Sequence, residues 1–320
     1  ITEGGENVVV GYEALKNEDG HGKNTAIGTQ ALFTQNAGAT AQNVAVGYQA
    51  GAAVTVGIYN TLIGSVAGDA LNDADNNVAV GRAALSSDTT GHGSVAIGRN
   101  ALVTQNFTNG ATTYNVAVGD QAGAAVTTGV GNTFLGSAAG DATDDGANNV
   151  AVGYLALSAN CGDGNTMVGK SAGELTTGSN STFIGANAGG KAVAADINIC
   201  IGSQAGGEIT SGTANIVVGY LAGRHAINLT TGGANNIIGH YADTTAADTT
   251  GANVLGYNVS GEAGYTTLGK DGDDIRAAHG NVTWATVSDE RYKKDITDST
   301  LGLSFINALQ PRTFNYKTKG

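Results

Sequence analysis

One pattern of apolar and polar positions recurs along this chain. Each copy reads Asn, an apolar residue or Thr, two apolar residues, Gly, two variable residues and Ala, as in Asn43 to Ala50. Fourteen copies occur at a mean spacing of about 17.5 residues, twelve with Asn and two with Ser94 or Ser181 at the first position. So short and regular a period predicts the stacked coils of a solenoid. The glycines are Gly11, Gly28, Gly47, Gly64, Gly81, Gly98, Gly119, Gly136, Gly153, Gly169, Gly185, Gly202, Gly219 and Gly239.

Alternation within each copy predicts a short strand that is apolar on both faces. The residue before the glycine is always Val, Ile or Leu, and the residue two positions earlier is Val or Thr in most copies, as in Val44 and Val46. These two share one face, which we expect to fill the interior of the coil. The residue between them, such as Phe134, is apolar too. We expect it to face a neighbouring chain, because a strand that is apolar on both faces is buried on both.

Three further features of the copy have structural interpretations. The glycine allows a positive φ or a tight corner, and the Ala three residues later marks a position with room for one methyl group. The recurrent Asn predicts a ladder of side-chain amides between stacked coils, although Asn also favours a turn before a strand.

Longer intervals precede Gly47, Gly119 and Gly239, and their extra residues, such as 33–36 and 103–107, are predicted to form surface loops. Residues 43–85 reappear at 115–157, an offset of 72 residues that indicates duplication of four coils.

The repeat decays towards the C-terminus. We divide the chain into a solenoid shaft (1–250), degenerate repeats and a neck (251–287), and a third region (288–320). Residues 253–256 and 265–269 are degenerate copies, 270–276 form a charged break, and 281–287 are predicted to form a strand. Residues 301–309 have helical spacing that Pro311 ends.

Composition narrows the class of protein. Gly is abundant, with 51 residues, and Pro311 is the single Pro, which excludes collagen-like and proline-rich chains. The net charge of −12 argues against nucleic acid as a partner. No apolar run reaches the length of a membrane helix, so no membrane insertion is expected. The chain begins at Ile1 and shows no signal peptide, so we expect it to be part of a longer protein.

Candidate sites for metals and cofactors are weak, and we expect neither. Acid pairs such as Asp73 with Asp75, or Asp144 with Asp145, are interpreted as solvated loop charges in preference to calcium ligands. His21 and His92 precede Gly in turns, and the five histidines show no metal-binding spacing. Cys161 and Cys200 lie more than two coils apart and are not expected to form a disulfide. No phosphate loop, nucleophile elbow or HExxH motif occurs.

The repeated phrase Asn-Val-Ala-Val-Gly-x-x-Ala resembles the head repeat of trimeric autotransporter adhesins of the YadA type over about residues 7–243. That resemblance implies a trimeric β-roll, although the repeat of that family is somewhat shorter. The predicted fold class is therefore all-β, a parallel β-solenoid of about 17-residue coils. The expected oligomer is a homotrimer.

The tail resembles the C-terminal intramolecular chaperone of phage tailspikes, tail fibres and endosialidases. The matching segments are Ser288 to Ile296 and Leu309 to Lys317, the start of a usually longer α+β domain. The resemblance implies trimerisation, assisted folding of the preceding fibre, and self-cleavage at the Ser288-Asp289 motif. Ser288 would attack the Val287–Ser288 bond, with Lys293 as its base. The residues alone favour another interpretation, in which Ser288 caps a helix whose first turn holds Asp289 and Glu290.

Together these features predict a trimeric phage tail fibre that attaches to a host receptor, most simply a glycan, and resides on the virion or an extracellular surface. The only expected enzymatic activity is one self-cleavage event. One alternative is a bacterial trimeric surface adhesin, which would need a membrane anchor. Another is a tailspike glycan hydrolase, which would need paired acids in a groove.

Overall fold

The computed structural model describes residues 5–20, 22–281 and 283–286. This part of the chain is an all-β solenoid that ends at Thr286, and no helix occurs among the described residues. The strands are β1 (Val8–Val10), β2 (Thr25–Ile27), β3 (Val44–Val46), β4 (Thr61–Ile63), β5 (Val78–Val80), β6 (Val95–Ile97), β7 (Val116–Val118), β8 (Thr133–Leu135), β9 (Val150–Val152), β10 (Thr166–Val168), β11 (Thr182–Ile184), β12 (Ile199–Ile201), β13 (Ile216–Val218), β14 (Asn236–Ile238), β15 (Asp243–Thr244), β16 (Asn253–Tyr257), β17 (Ser260–Gly261), β18 (Tyr265–Lys270), β19 (Asp273–Ala278) and β20 (Ala285–Thr286).

Strands β1 to β14, β16 and β18 form one continuous parallel sheet. Each pairs with the next at identical repeat positions, so that Phe134 lies beside Ala117 on one side and Ala151 on the other. The sixteen strands correspond to about 15 turns of the solenoid. The predicted parallel β-solenoid with coils of about 17 residues is therefore confirmed.

The end of the sheet departs from the sequence-based expectation. The charged segment after Lys270 forms β19, which pairs antiparallel with β18, so it extends the sheet and does not interrupt it. Within the predicted strand 281–287, the structure places β20 at Ala285–Thr286, antiparallel to β19. A smaller sheet pairs β15 with β17.

The assignment of the two strand faces was wrong. The middle residue of each strand, and not the pair that flanks it, fills the interior of the coil. Phe134 has 0% of its surface exposed, whereas its neighbour Leu135 is 48% exposed. The physical reason is that the coil interior is narrow, so one inward side chain per strand and the small Ala of the turn suffice to fill it.

The volume of the middle strand residue is compensated by the volume of a turn residue. We call this relation the volume rule. Where the middle strand residue is Phe134 or Phe183, the residue four positions after the phrase glycine is Gly140 or Gly189. A Cβ atom added at either glycine would run into the phenylalanine ring of the same coil. Where the middle residue is Ala, as at Ala96, the corresponding turn residue is usually Leu, here Leu102, and it is fully buried. A bulky side chain therefore enters the core from the strand or from the turn.

Backbone geometry at the turns is left-handed. All fourteen phrase glycines have φ between 132° and 142°. A side chain there would collide with the backbone carbonyl of the equivalent glycine in the next coil, so only glycine fits. The residue two positions after each of these glycines has φ between 51° and 61°, even where it is β-branched Val66. Such residues rarely adopt this conformation, so the stacking of coils imposes it.

The recurrent Asn forms a ladder between coils, but mostly through backbone groups and not, as predicted, from one amide to the next. In a typical rung, Oδ1 of Asn60 accepts the backbone N–H of Asn77 at 3.0 Å, and Nδ2 of Asn60 donates to the carbonyl of Ala74 at 2.7 Å. The amide therefore bonds mainly to backbone groups of the next coil. Direct bonds between amides occur at Asn215, with Asn198 and Asn235. Each buried amide thus satisfies backbone groups that the narrow interior hides from water.

The extra residues of the longer intervals behave differently from one another. Residues 225–228 are exposed, as expected of a surface loop. Gln35 and Gln105, predicted to lie in such loops, are instead fully buried. Oε1 of Gln105 accepts from Nδ2 of Asn115 at 2.9 Å, and Nε2 donates to Oδ2 of Asp88 at 2.6 Å. An inserted residue therefore turns inward because its amide can join the ladder.

Candidate functional site: the outward apolar face

The outward side chains of the parallel sheet form a continuous apolar face. The residue before the glycine is aliphatic in all sixteen strands, including the two degenerate copies with Gly256 and Gly269. Every one of these side chains is half-buried or exposed. Exposure reaches 59% at Val10 and 52% at Leu255, near the two ends. We call these residues the outward apolar face: Val10, Ile27, Val46, Ile63, Val80, Ile97, Val118, Leu135, Val152, Val168, Ile184, Ile201, Val218, Ile238, Leu255 and Leu268.

The outward apolar face itself is aliphatic throughout. The N–H and C=O groups of its strands are used in the parallel ladder, as between Val46 and Ile63. A second column, two residues earlier on each strand, also points outward and holds Val, Ile, Thr or Asn. A contiguous aliphatic surface of this length is typical of a protein interface. It suits the burial of another apolar surface and provides no group for chemistry on a substrate.

The two cysteines of the shaft are buried and free. Burial raises the pKa of the Cys200 thiol, whose side chain lies in the coil interior, and also raises the pKa of the Cys161 thiol. A raised pKa leaves little thiolate, the reactive form. We therefore regard both as packing residues.

Among residues 5–20, 22–281 and 283–286, no group of three or more His, Cys, Asp and Glu side chains could hold a metal ion. That part of the chain also lacks any helix long and apolar enough to cross a bilayer.

The residues implicated in self-cleavage, Ser288, Asp289 and Lys293, lie outside the described residues, as does the scissile bond after Val287. Their predicted roles remain predictions.

Comparison with known families identifies the end of the chain. The family model described as chaperone of endosialidase matches residues 288–320. The C-terminal segment is thus similar to an intramolecular chaperone domain, and it follows a fibre-like solenoid. Searches of curated proteins and of solved structures found no match.

Sequence reasoning missed the outward apolar face because it assigned these residues to the core. A signal was present. The column two residues before the outward apolar face admits Thr25, Thr61 and Asn236, whereas the middle column is apolar in all fourteen copies. Because a narrow interior excludes unpaired polar groups more strictly than a surface does, the strand face that admits Thr and Asn is the outer one.

Proposed function

We propose that this protein is the shaft of a homotrimeric phage tail fibre that mediates attachment to a host cell surface. The observation that carries the proposal is the outward apolar face, which continues over the whole solenoid and leads into a segment that matches an intramolecular chaperone. The chaperone match favours a tail fibre over a bacterial surface adhesin. A virion location follows from this role.

Three chains that pack their outward apolar faces around a shared axis would remove these side chains from water. Burial of the remaining exposed area stabilises by roughly 1 kcal/mol per aliphatic side chain. Over the sixteen strands this gain offsets the entropy lost on association. A fibre of this kind needs no polar anchor between chains in the strand region.

Identical coils create a folding problem that a chaperone would solve. Each coil resembles its neighbours, so three chains could associate in several shifted registers, and long-range strand pairing is slow. A C-terminal domain that joins the chain ends would fix the register before the shaft assembles. After assembly its removal would leave the shaft intact. In the proposed mechanism Ser288 Oγ attacks the carbonyl carbon of Val287 while Lys293 accepts the hydroxyl proton. The C–N bond between Val287 and Ser288 breaks as the Ser288 nitrogen gains a proton, and water hydrolyses the resulting ester. Asp289 is the second residue of the motif.

The deciding experiment measures the mass of the protein in solution, expressed from the complete gene. We expect a stable trimer, and a monomer would contradict the proposal.

Expression without residues 288 onward should give aggregated or misregistered chains, and normal folding would exclude the chaperone role.

Ser288→Ala should block cleavage after Val287 while still allowing trimer formation, with Ser299→Ala as the matched control. Continued cleavage would show that Ser288 is not the nucleophile.

A further inference from the structure

A polar groove opens on the turn side of the coils in the C-terminal third of the solenoid. It has a volume of about 400 Å³, and its polar lining comes from successive coils. The polar side chains are Glu174, Asn187, Lys191, Gln204, Glu208 and Arg224.

Ion pairs and one hydrogen bond hold four of these side chains, Lys191, Gln204, Glu208 and Arg224, before any ligand binds. The Glu208 carboxylate accepts from Lys191 Nζ at 2.7 Å and from Arg224 Nη2 at 2.8 Å. Arg224 Nη1 also donates to Oε1 of Gln204 at 2.8 Å. The Glu208 side chain is 15% exposed and that of Arg224 is 28% exposed, so solvent screens this pair less than the pair with Lys191, which is 56% exposed. Side chains held in this way lose little entropy when they bind a ligand.

An aromatic cluster lies on the next coils along the rod. His225 stacks on Tyr241 with ring centroids 4.1 Å apart, and His240 lies 4.0 Å from Tyr241. Tyr220 and Tyr257 meet His240 edge to face, at 5.1 and 5.5 Å. Tyr220, His225, His240 and Tyr257 are all exposed, and Tyr241 is half-buried beneath them. We call these five residues the aromatic platform.

The groove and the aromatic platform are continuous. One repeat position, two residues after the phrase glycine, links the two surfaces. It holds Asn187 and Gln204 on adjacent coils of the groove and Tyr241 on the second coil after Gln204. Arg224 of the groove directly precedes His225 of the platform. The buried Asp243 carboxylate holds their loop by accepting the backbone N–H groups of residues 226 and 227 at 2.7 and 2.9 Å. From Asn187 to Tyr257 the surface spans roughly 19 Å at about 4.8 Å per coil.

This surface breaks the repeat. The position after the phrase glycine holds isolated tyrosines elsewhere, such as Tyr154, but Tyr220, His240 and Tyr257 occupy it on three consecutive coils. The loop that carries His225 is itself an insertion relative to the 17-residue coil. Places where a sequence departs from its own local rules are expected to be functional or strained.

We propose that the groove and the aromatic platform together bind a neutral oligosaccharide that lies along the rod axis. Sugar rings present flat C–H faces that stack on aromatic side chains. They also carry hydroxyl pairs that carboxylate, amide and guanidinium groups can bind in a bidentate manner. The groove holds two acids, Glu174 and Glu208, and two bases, Lys191 and Arg224. This balance favours a neutral ligand over an anionic one.

A second copy of this chain is a less suitable occupant. The outward apolar face is aliphatic, lies on the strands and continues along the whole solenoid, whereas the platform is aromatic and polar, lies on the turns and is confined to the C-terminal third. The inference rests on the proposed attachment function and deepens it by naming the ligand class and its site.

The test uses the full chain on an array of neutral and anionic oligosaccharides, followed by calorimetric titration of the strongest neutral ligand. We expect Tyr257→Ala and Glu208→Gln each to weaken binding at least tenfold. Tyr154→Ala is the matched control, since Tyr154 occupies the same repeat position, is 52% exposed and lies outside the platform. That variant should bind like the wild type.

Several results would overturn the proposal: no binding on the array, binding of anionic glycans alone, or an equal loss in Tyr154→Ala. A change of oligomeric mass in Tyr257→Ala would assign the platform to a contact between copies. Oligomeric mass measured on the same samples distinguishes the proposed sugar-binding site from the proposed trimeric fibre. A trimer that binds no sugar contradicts only this inference, and a monomer that binds sugar contradicts only the trimeric fibre.

Discussion

The inner and outer columns of the parallel sheet are both apolar, yet they obey different rules. Inside, residue volume is matched within a coil, as Phe134 is matched by Gly140, or between neighbouring coils, as Gly51 makes room for Leu32 and Leu62. Outside, Val, Ile and Leu replace one another at the position of Leu135 without any compensating change on the turn. Volume is constrained only where neighbours surround a side chain on all sides. The difference shows that the interior is closed within one chain, whereas the outer face is open to solvent in the single chain.

The two adjacent residues Phe134 and Leu135 of β8 should respond most differently to the same substitution. Phe134→Asp places an unpaired charge in the coil interior and should destabilise the shaft by more than about 5 kcal/mol. Leu135→Asp, one residue later, should leave the strand signal in circular dichroism unchanged and weaken association between chains, because its side chain points outward. Chemical denaturation and solution mass measure the two effects. If Leu135→Asp unfolded the chain and Phe134→Asp altered only its assembly, the assignment of inner and outer columns would be reversed.

The volume rule predicts a rescue. Gly140→Leu should destabilise the shaft by about 3 kcal/mol, because the new side chain overlaps the Phe134 ring. Phe134→Ala alone should cost a similar amount by leaving a cavity. The double variant should recover most of the loss, since it reproduces the combination at Ala96 and Leu102. Additive losses in denaturant titrations would disprove the exchange of volume between strand and turn.

Substitutions in the Asn ladder test how the coil interior satisfies its polar backbone groups. Asn132→Ala should cost about 2–4 kcal/mol, because it leaves the N–H of Asn149 and the carbonyl of Gly146 without partners. Asn132→Ser is the matched control, since Ser181 naturally accepts the Asn198 N–H at 3.2 Å and donates to Ala195 at 3.2 Å. It should cost less than half as much. Equal costs, measured by thermal unfolding, would show that the hydroxyl cannot replace the amide.

The smallest effect concerns a carboxylate at the boundary of the core. Burial raises the pKa of Asp69 above the usual 3.8, and its Oδ1 is buried without a hydrogen bond. The unfolded chain therefore releases this proton at lower pH than the folded one. The protonated carboxyl of Asp69 therefore contributes to the stability of the folded chain. This contribution is complete below pH 3.8 and is lost as pH rises through the raised pKa of Asp69.

Accordingly, Asp69→Asn should stabilise the shaft at pH 7 by roughly 0.5 kcal/mol, a modest gain because solvent screens a half-exposed group. The gain should disappear in acid, below the usual carboxyl pKa. Asp73→Asn provides the control, because the Asp73 side chain is exposed in the neighbouring loop. Thermal unfolding at pH 3.5 and pH 7 measures both variants. A loss of stability at pH 7 would mean that the Asp69 charge is favourably solvated or paired.

The sequence alone predicts the coil, its period and its parallel stacking. These follow from local features: strand-forming residues at fixed spacing, a glycine that alone fits the corner, and an Asn able to bond the next coil. It also located the chaperone-like tail from Ser288 onward. Each is specified by residue type within one repeat.

The folded coil established which side of the strand faces inward, and the Thr and Asn residues of the outer face were the sequence signal for it. A strand with two apolar faces carries no sign of direction in its alternation alone. Three-dimensional stacking also imposed positive φ on residues such as Val66, turned Gln105 inward to the ladder, and placed the loop of Arg224 and His225 beside Tyr241. All these outcomes depend on contacts between residues far apart in the chain, because each coil packs on the next, and local propensity does not encode such contacts.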